Sequence, residues 1–105
     1  MGKGKYLNEL KKFLKKLSKD FLIKEIILFG SRARGDERED SDIDIIIVSN
    51  DFKNMTFFER GAVMYDYWDL KMPVDFLCYT EQEFCSLKKK ISIAREALKN
   101  GIIIT

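Results

Sequence analysis

The sequence predicts an α+β domain built on a small mixed sheet, and three observations carry that prediction. Three isoleucine-rich or aromatic apolar stretches, at 23–29, 42–49 and 74–79, are bounded by polar or turn residues, as buried strands are. Around them lie segments with helical spacing of apolar residues, two of them opened by Thr-x-x-Glu. A polar loop of twelve residues joins the first two strands, whereas a helix joins the second to the third. The first pair is therefore expected to be antiparallel, and the second parallel with a right-handed crossover.

The elements follow in order. Leu7, Leu10, Phe13, Leu14, Leu17 and Phe21 form a stripe that predicts a helix over about residues 6–20, with Lys11, Lys12, Lys15, Lys16 and Lys19 on its other face. Ile23–Phe29 is a buried strand stopped by Gly30. Residues 30–41 are a polar loop. Asp42–Ser49 is the second strand, apolar on both faces from Ile45 onward, as a central strand is. The capping box Thr56-x-x-Glu59 opens a helix from about Thr56 to Leu70. Pro73, the single proline, introduces the third strand, Val74–Tyr79. Thr80-x-x-Glu83 opens a last helix expected to reach about Lys99 and to stop at Asn100-Gly101. Ile102–Ile104 is read as a short final strand. Without repeats, linkers or low-complexity tracts, residues 1–105 are expected to form a single domain.

Composition narrows the function. The chain is 46% hydrophobic and 34% charged, which excludes disorder. Its apolar runs are a few residues long, far from the ~20 that span a bilayer, and Met1-Gly2-Lys3-Gly4-Lys5-Tyr6 leads into no apolar signal region. A soluble, cytoplasmic protein without membrane contact is expected. Histidine is absent, which removes Ser-His-Asp and Cys-His catalysis and histidine–metal sites together. Cys78 and Cys85 stand seven apart with no second pair, so neither a zinc knuckle nor a CxxC redox site is available. Both are expected to be small, buried or half-buried residues. Chemistry must rest on carboxylates, bound metal and basic side chains.

Charge is segregated beneath a net of +2. Residues 1–24 hold eight lysines against Glu9 and Asp20, whereas residues 25–79 hold twelve acidic and six basic residues. The lysines fit the solvated face of the first helix. No recognition motif or aromatic–basic interleaving supports direct nucleic-acid binding.

Three features of the acidic middle converge. Gly30-Ser31 ends the first strand, where a glycine permits close backbone approach and a serine with neighbouring N–H groups suits phosphate oxygens. In Asp42-Ile43-Asp44 the two-residue period sends both carboxylates to one face. Such carboxylates repel unless a cation joins them, and they suit Mg²⁺. Asp75 opens the third strand. The predicted topology brings the end of strand one and the starts of strands two and three to one edge of the sheet. A phosphate cradle beside three carboxylates is the arrangement of two-metal phosphoryl or nucleotidyl transfer.

The spacing Gly30-Ser31, ten residues, Asp42-Ile43-Asp44, with Asp75 later, resembles the minimal nucleotidyltransferases of the DNA polymerase β-like superfamily, the MNT-type antitoxins that accompany HEPN toxins. Gly-Ser-Arg-Ala-Arg-Gly and Ser-Asp-Ile-Asp-Ile are typical of that branch, and the resemblance covers nearly the whole chain. It implies a nucleotidyltransferase fold: a mixed central sheet of core strand order 1-2-3, with helices packed mainly on one face. It also implies that Gly30 and Ser31 bind the triphosphate, that Asp42, Asp44 and Asp75 are catalytic and hold two Mg²⁺ ions, and that ATP is the substrate. Arg32 and Arg34 suit phosphate neutralisation, although pairing with Asp36, Glu37, Glu39 and Asp40 in the same loop would equally occupy them.

With only the catalytic core present, a partner is expected to supply the acceptor, in a homo- or hetero-oligomer. The resemblance implies transfer of AMP to a tyrosine hydroxyl of a HEPN toxin. A non-catalytic alternative is a stoichiometric antitoxin that masks its partner by contact. Phe57, Phe58, Met64, Tyr65, Tyr67 and Trp68 motivate it, being more than one helix face buries.

Overall fold

A computed structural model of the chain describes residues 2–29, 43–69, 74–90 and 101–104. Strands β1 (Ile23–Phe29), β2 (Ile43–Ser49), β3 (Val74–Tyr79) and β4 (Ile102–Ile103) form one sheet in the order β3-β2-β1-β4. β1 runs antiparallel to β2 and to β4, and β2 runs parallel to β3. The expected core order 1-2-3 and the expected strand directions are both present, and β4 extends the sheet at its far edge.

The central place of β2 accounts for its composition. Ile45 and Ile47 face one core, with Ile26, Leu28, Val74, Phe76 and Cys78 beside them. Ile46 and Val48 face another, with Ile27 and Phe84. Helices α1 (Gly2–Leu17) and α2 (Phe57–Asp66) cover the first face through Leu10, Phe13, Leu17 and Met64. Helix α3 (Glu81–Lys88) packs on the second through Phe84, so among the described residues two α-helices share one face and one covers the other. Among the described residues no helix is long and apolar enough to cross a membrane.

The two helix starts marked by Thr-x-x-Glu match the sequence reading, whereas α1 begins at Gly2 rather than near residue 6. Both capping boxes are formed: Thr56 and Thr80 accept from the backbone of Glu59 and Glu83, whose carboxylates accept from the cap N–H groups at 2.7 and 2.8 Å. At the other ends each helix stops early, α1 and α2 through tertiary packing. α1 ends at Leu17 rather than near residue 20, because the chain folds back there and Phe21 packs on Phe52 and Tyr67. α2 ends at Asp66 rather than Leu70. Three-residue bonds from Tyr67 to Met64 and from Trp68 to Tyr65 tighten its last turn, and the Trp68 ring meets Phe13 edge-on. α3 stops at Lys88 rather than continuing toward Lys99, and Lys89 and Lys90 beyond it are exposed. Residues 91–100 lie outside the described residues.

A 3-10 turn over Asn50–Asn54 was not anticipated. Ser49 caps it and also donates to the Leu22 carbonyl at 2.9 Å, while Asp51 accepts from the Leu22 N–H at 2.8 Å. That latch lets Phe52 reach the core, where it is fully buried.

The cysteines separate. Cys78 is buried as expected, but Cys85 is exposed: Phe84 and Leu87 face the sheet, which turns Cys85 outward. Burial pushes the Cys78 thiol up to about 12, against the opposing pull of Arg60. Native protein treated with iodoacetamide near pH 8 is therefore expected to take one label, on Cys85, and a second only after denaturation. Labelling of both thiols at similar rates in the native state would contradict the packing around β3.

Candidate active site

Register places two of the sequence-predicted carboxylates side by side. Asp44 in β2 is the partner of Phe29, the last residue of β1, on one side and of Asp75 in β3 on the other. Neighbouring strands lie about 4.8 Å apart, and paired positions project to the same face. The two-residue period identifies that face: Asp44 shares it with Ile46 and Val48, and Asp75 shares it with Leu77 and Tyr79, all members of the cluster beneath α3. Phe84 of α3 packs farther along the strands, against Ile27, Ile46 and Val48. Asp44 is half-buried and Asp75 is exposed.

The remaining predicted residues lie outside the described residues. Gly30 and Ser31 directly follow the end of β1, with Arg32 and Arg34 in the same segment, and Asp42 directly precedes β2. Of the catalytic candidates, Asp44 and Asp75 are described, and both lie at the end of the core where β1 finishes.

Two inward contacts of α2 escaped the sequence reading. Arg60 is 6% exposed, and all three nitrogens of its guanidinium donate hydrogen bonds. Nε donates to the Met55 carbonyl at 3.1 Å and Nη1 to the Cys78 carbonyl at 3.1 Å. The two terminal nitrogens meet both carboxylate oxygens of Glu83 at 2.7 and 3.3 Å. This fork bolts α2 to β3 and to the first turn of α3. Hydrogen bonding from Arg60 holds the Glu83 carboxyl below its ordinary range, with burial opposing it. Tyr65 is the second contact: its hydroxyl donates to the Val74 carbonyl, next to Asp75. No local periodicity or motif names either pair, since each joins an element to a later one.

A cleft of about 550 Å³ opens between α2 and α3, lined in part by Phe57, Arg60, Tyr79 and Glu83. It lies toward the opposite end of β3 from Asp75, and its two charged groups are spent on each other. The carboxylate pair, not the cleft, holds the groups suited to chemistry.

Of the six residues singled out in the sequence between 57 and 68, half are in the interior. Met64 is fully buried, and Tyr67 and Trp68 pack against the core. Phe57, Phe58 and Tyr65 are exposed, Phe58 by 87%.

The donor chemistry fits a hard divalent cation. Two carboxylates at paired register bring anionic oxygens toward one point, the donor type such a cation takes. Among the described residues no group of three acidic, cysteine or histidine side chains forms a complete metal site. The third candidate ligand, Asp42, is outside them.

Comparison with known proteins gives a consistent picture. The family model for the nucleotidyltransferase domain matches residues 7–100. Two relatives from Methanocaldococcus jannaschii, each described as a "putative protein adenylyltransferase", are similar along much of the chain. One is 36% identical over 76 residues, covering 68% of this chain and 88% of the relative. The other is 40% identical over 79 residues, covering 70% and 78%. A crystal structure described as a "putative nucleotidyltransferase" from Sulfolobus solfataricus superposes with a TM-score of 0.67 at 26% identity, covering 97% of this chain and 81% of that one. A toxin–antitoxin structure with AMP-PNP shares the fold, with a TM-score of 0.57 at 22% identity over 90% of this chain and 71% of that one.

Proposed function

Because the chain belongs to the nucleotidyltransferase domain family, we propose that it transfers AMP from ATP to a protein hydroxyl, the acceptor being a tyrosine of a HEPN-type toxin for which it acts as antitoxin. The carrying observation is the register Phe29–Asp44–Asp75, which sets two carboxylates beside the end of the strand that leads into Gly30-Ser31. The relatives' description as protein adenylyltransferases supports a protein as acceptor. AMP-PNP in the toxin–antitoxin neighbour is an adenine nucleotide of the kind this reading requires.

The roles follow from chemistry. Gly30 and Ser31 hold the triphosphate, Arg32 and Arg34 neutralise it, and Asp42, Asp44 and Asp75 hold Mg²⁺. Bound there, Mg²⁺ supplies charge neutralisation on the phosphate oxygens. Asp75, the exposed carboxylate, accepts the proton of the attacking hydroxyl. A bond forms between that oxygen and the α-phosphorus, the α–β phosphoanhydride breaks, and pyrophosphate leaves. Because pyrophosphate is a good leaving group and the protein has little covalent chemistry to do, catalysis rests on alignment and electrostatics.

Co-expression with the protein encoded beside it, followed by intact-mass measurement, tests the reading. The expected result is a gain of one or more AMP units on the partner, mapped to tyrosine. The exposed Phe57, Phe58 and Tyr65 favour a second reading, neutralisation by contact alone. A partner that co-purifies and is silenced without any mass gain would establish that reading instead.

A further inference from the structure

We infer that Tyr65 is a positioning residue for Asp75, holding the carboxylate at the geometry that metal binding and proton acceptance require. The inference rests on the role proposed above for Asp75.

Among the described residues, β3 itself gives Asp75 little anchorage. Asp75 is exposed, it is the second residue of its strand, and among the described residues β3 is an edge strand paired with β2. Strand ends of this kind open first in local unfolding. A side chain fixed only from one side would sweep a range of positions, and catalytic groups lose rate steeply with displacements near 1 Å.

The residues on both sides of Asp75 are instead pinned from α2, and Tyr65 reaches both. Its hydroxyl donates to the Val74 carbonyl, the peptide group that leads into Asp75. Its ring meets the Phe76 ring edge-on, with centroids 5.0 Å apart. Val74 and Phe76 are 3% and 8% exposed and point into the core beneath α1 and α2. By strand alternation, fixing residues 74 and 76 fixes the Cα of Asp75 and directs its side chain to the opposite face, where Asp44 projects. Phe13 and Trp68 also pack on the Phe76 ring, at 5.7 Å each, so core packing holds Phe76 even without Tyr65. Among these contacts, only the Tyr65 hydroxyl engages the Val74 backbone. Tyr65 itself is 51% exposed, more than a residue kept for core volume.

Tyr65→Phe isolates the hydroxyl, since the ring and its contact with Phe76 remain. Transfer should fall about 10-fold in kcat with the KM for ATP within about 2-fold, the pattern of an interaction that acts after ground-state binding. Without turnover, Mn²⁺ titrated into protein with AMP-PNP and followed by electron paramagnetic resonance should bind several-fold more weakly to the variant. This fits the loss seen when groups supporting metal ligands are removed. The melting temperature should stay within a few degrees, because one half-exposed hydrogen bond contributes little. Asp75→Asn is measured in parallel. If it is inactive while Tyr65→Phe keeps wild-type kcat and Mn²⁺ affinity, the positioning role is wrong and the site stands. A raised KM with unchanged kcat also overturns the inference. If Asp75→Asn retains full activity, the site assignment itself falls, and the inference with it.

Discussion

Replacing Asp44 by Asn should abolish nucleotidyl transfer while leaving the fold in place. Asp44 sits between Phe29 and Asp75 in the sheet, the one described carboxylate with β1 on one side and a second carboxylate on the other. Asparagine preserves its shape and the main-chain ladder of β2, but removes the anionic oxygens that would draw a divalent cation to this point. Losing one preorganised donor to developing transition-state charge costs about 10²–10³-fold, and a metal ligand carries a full negative charge toward the ion that neutralises the phosphate. A fall of at least ~10³-fold in kcat/KM is therefore expected, close to 4 kcal/mol of transition-state stabilisation. Circular dichroism and the melting temperature should match wild type. Mg²⁺ with AMP-PNP should raise the melting temperature of wild type and not of the variant. Undiminished transfer by a folded Asp44→Asn protein would refute the metal assignment.

The second large effect is on stability. Glu83→Gln removes the charge that answers a buried guanidinium, since the Arg60 side chain is 7% exposed and that of Glu83 is 46% exposed. Stranding a buried charge costs 3–5 kcal/mol when both partners are deeply buried. Half-exposure of Glu83 and the remaining carbonyl bonds to Met55 and Cys78 reduce this to about 2 kcal/mol, or a melting temperature lower by ~10 °C. Arg60→Met with Glu83→Gln should cost less than Glu83→Gln alone, because no uncompensated cation is left. The pH dependence has a defined sign. The folded-state carboxyl of Glu83 titrates below its ordinary value of 4.5, so the pair's contribution is complete above about 4.5 and disappears as pH falls through the lowered value. Denaturant midpoints across pH 3 to 7 should show wild type and Glu83→Gln separated near neutrality and converging in acid. A separation that persists unchanged to pH 3 would mean that shape, not charge, holds the two helices.

Both sites bear on how far the sequence could be read. β1 and β3 occupy the residues that apolar β-branched composition and flanking turns assigned to them, and both Thr-x-x-Glu boxes formed. These signals are local: a strand's period or a helix's first turn is complete within a few residues. The neighbourhood of Asp44 and Asp75 was legible because chain connectivity constrains topology. A helical crossover makes β2 and β3 parallel, and their first residues then meet at one edge. The ends of α1, α2 and α3 were not legible. α1 and α2 stop where an aromatic turns into the core, and intrinsic propensity near those points would have continued the helix. Cys85 was misjudged for a similar reason: which side of α3 faces the sheet depends on Phe84 finding Ile46 and Val48.

By itself the sequence determined the element order, the strand directions and the clustering of acidic residues at one end of the core. Each follows from periodicity, capping or the reach of a connection. Only the tertiary structure decided that Asp44 and Asp75 project from the face beneath α3. It alone set Arg60 against Glu83, 23 residues away, and the Tyr65 hydroxyl against the peptide before Asp75. Such partners are chosen by how two finished elements pack. An arginine or tyrosine within a helix carries the same local pattern whether it faces solvent or a neighbouring strand, so the choice between them appears only when that strand is in place.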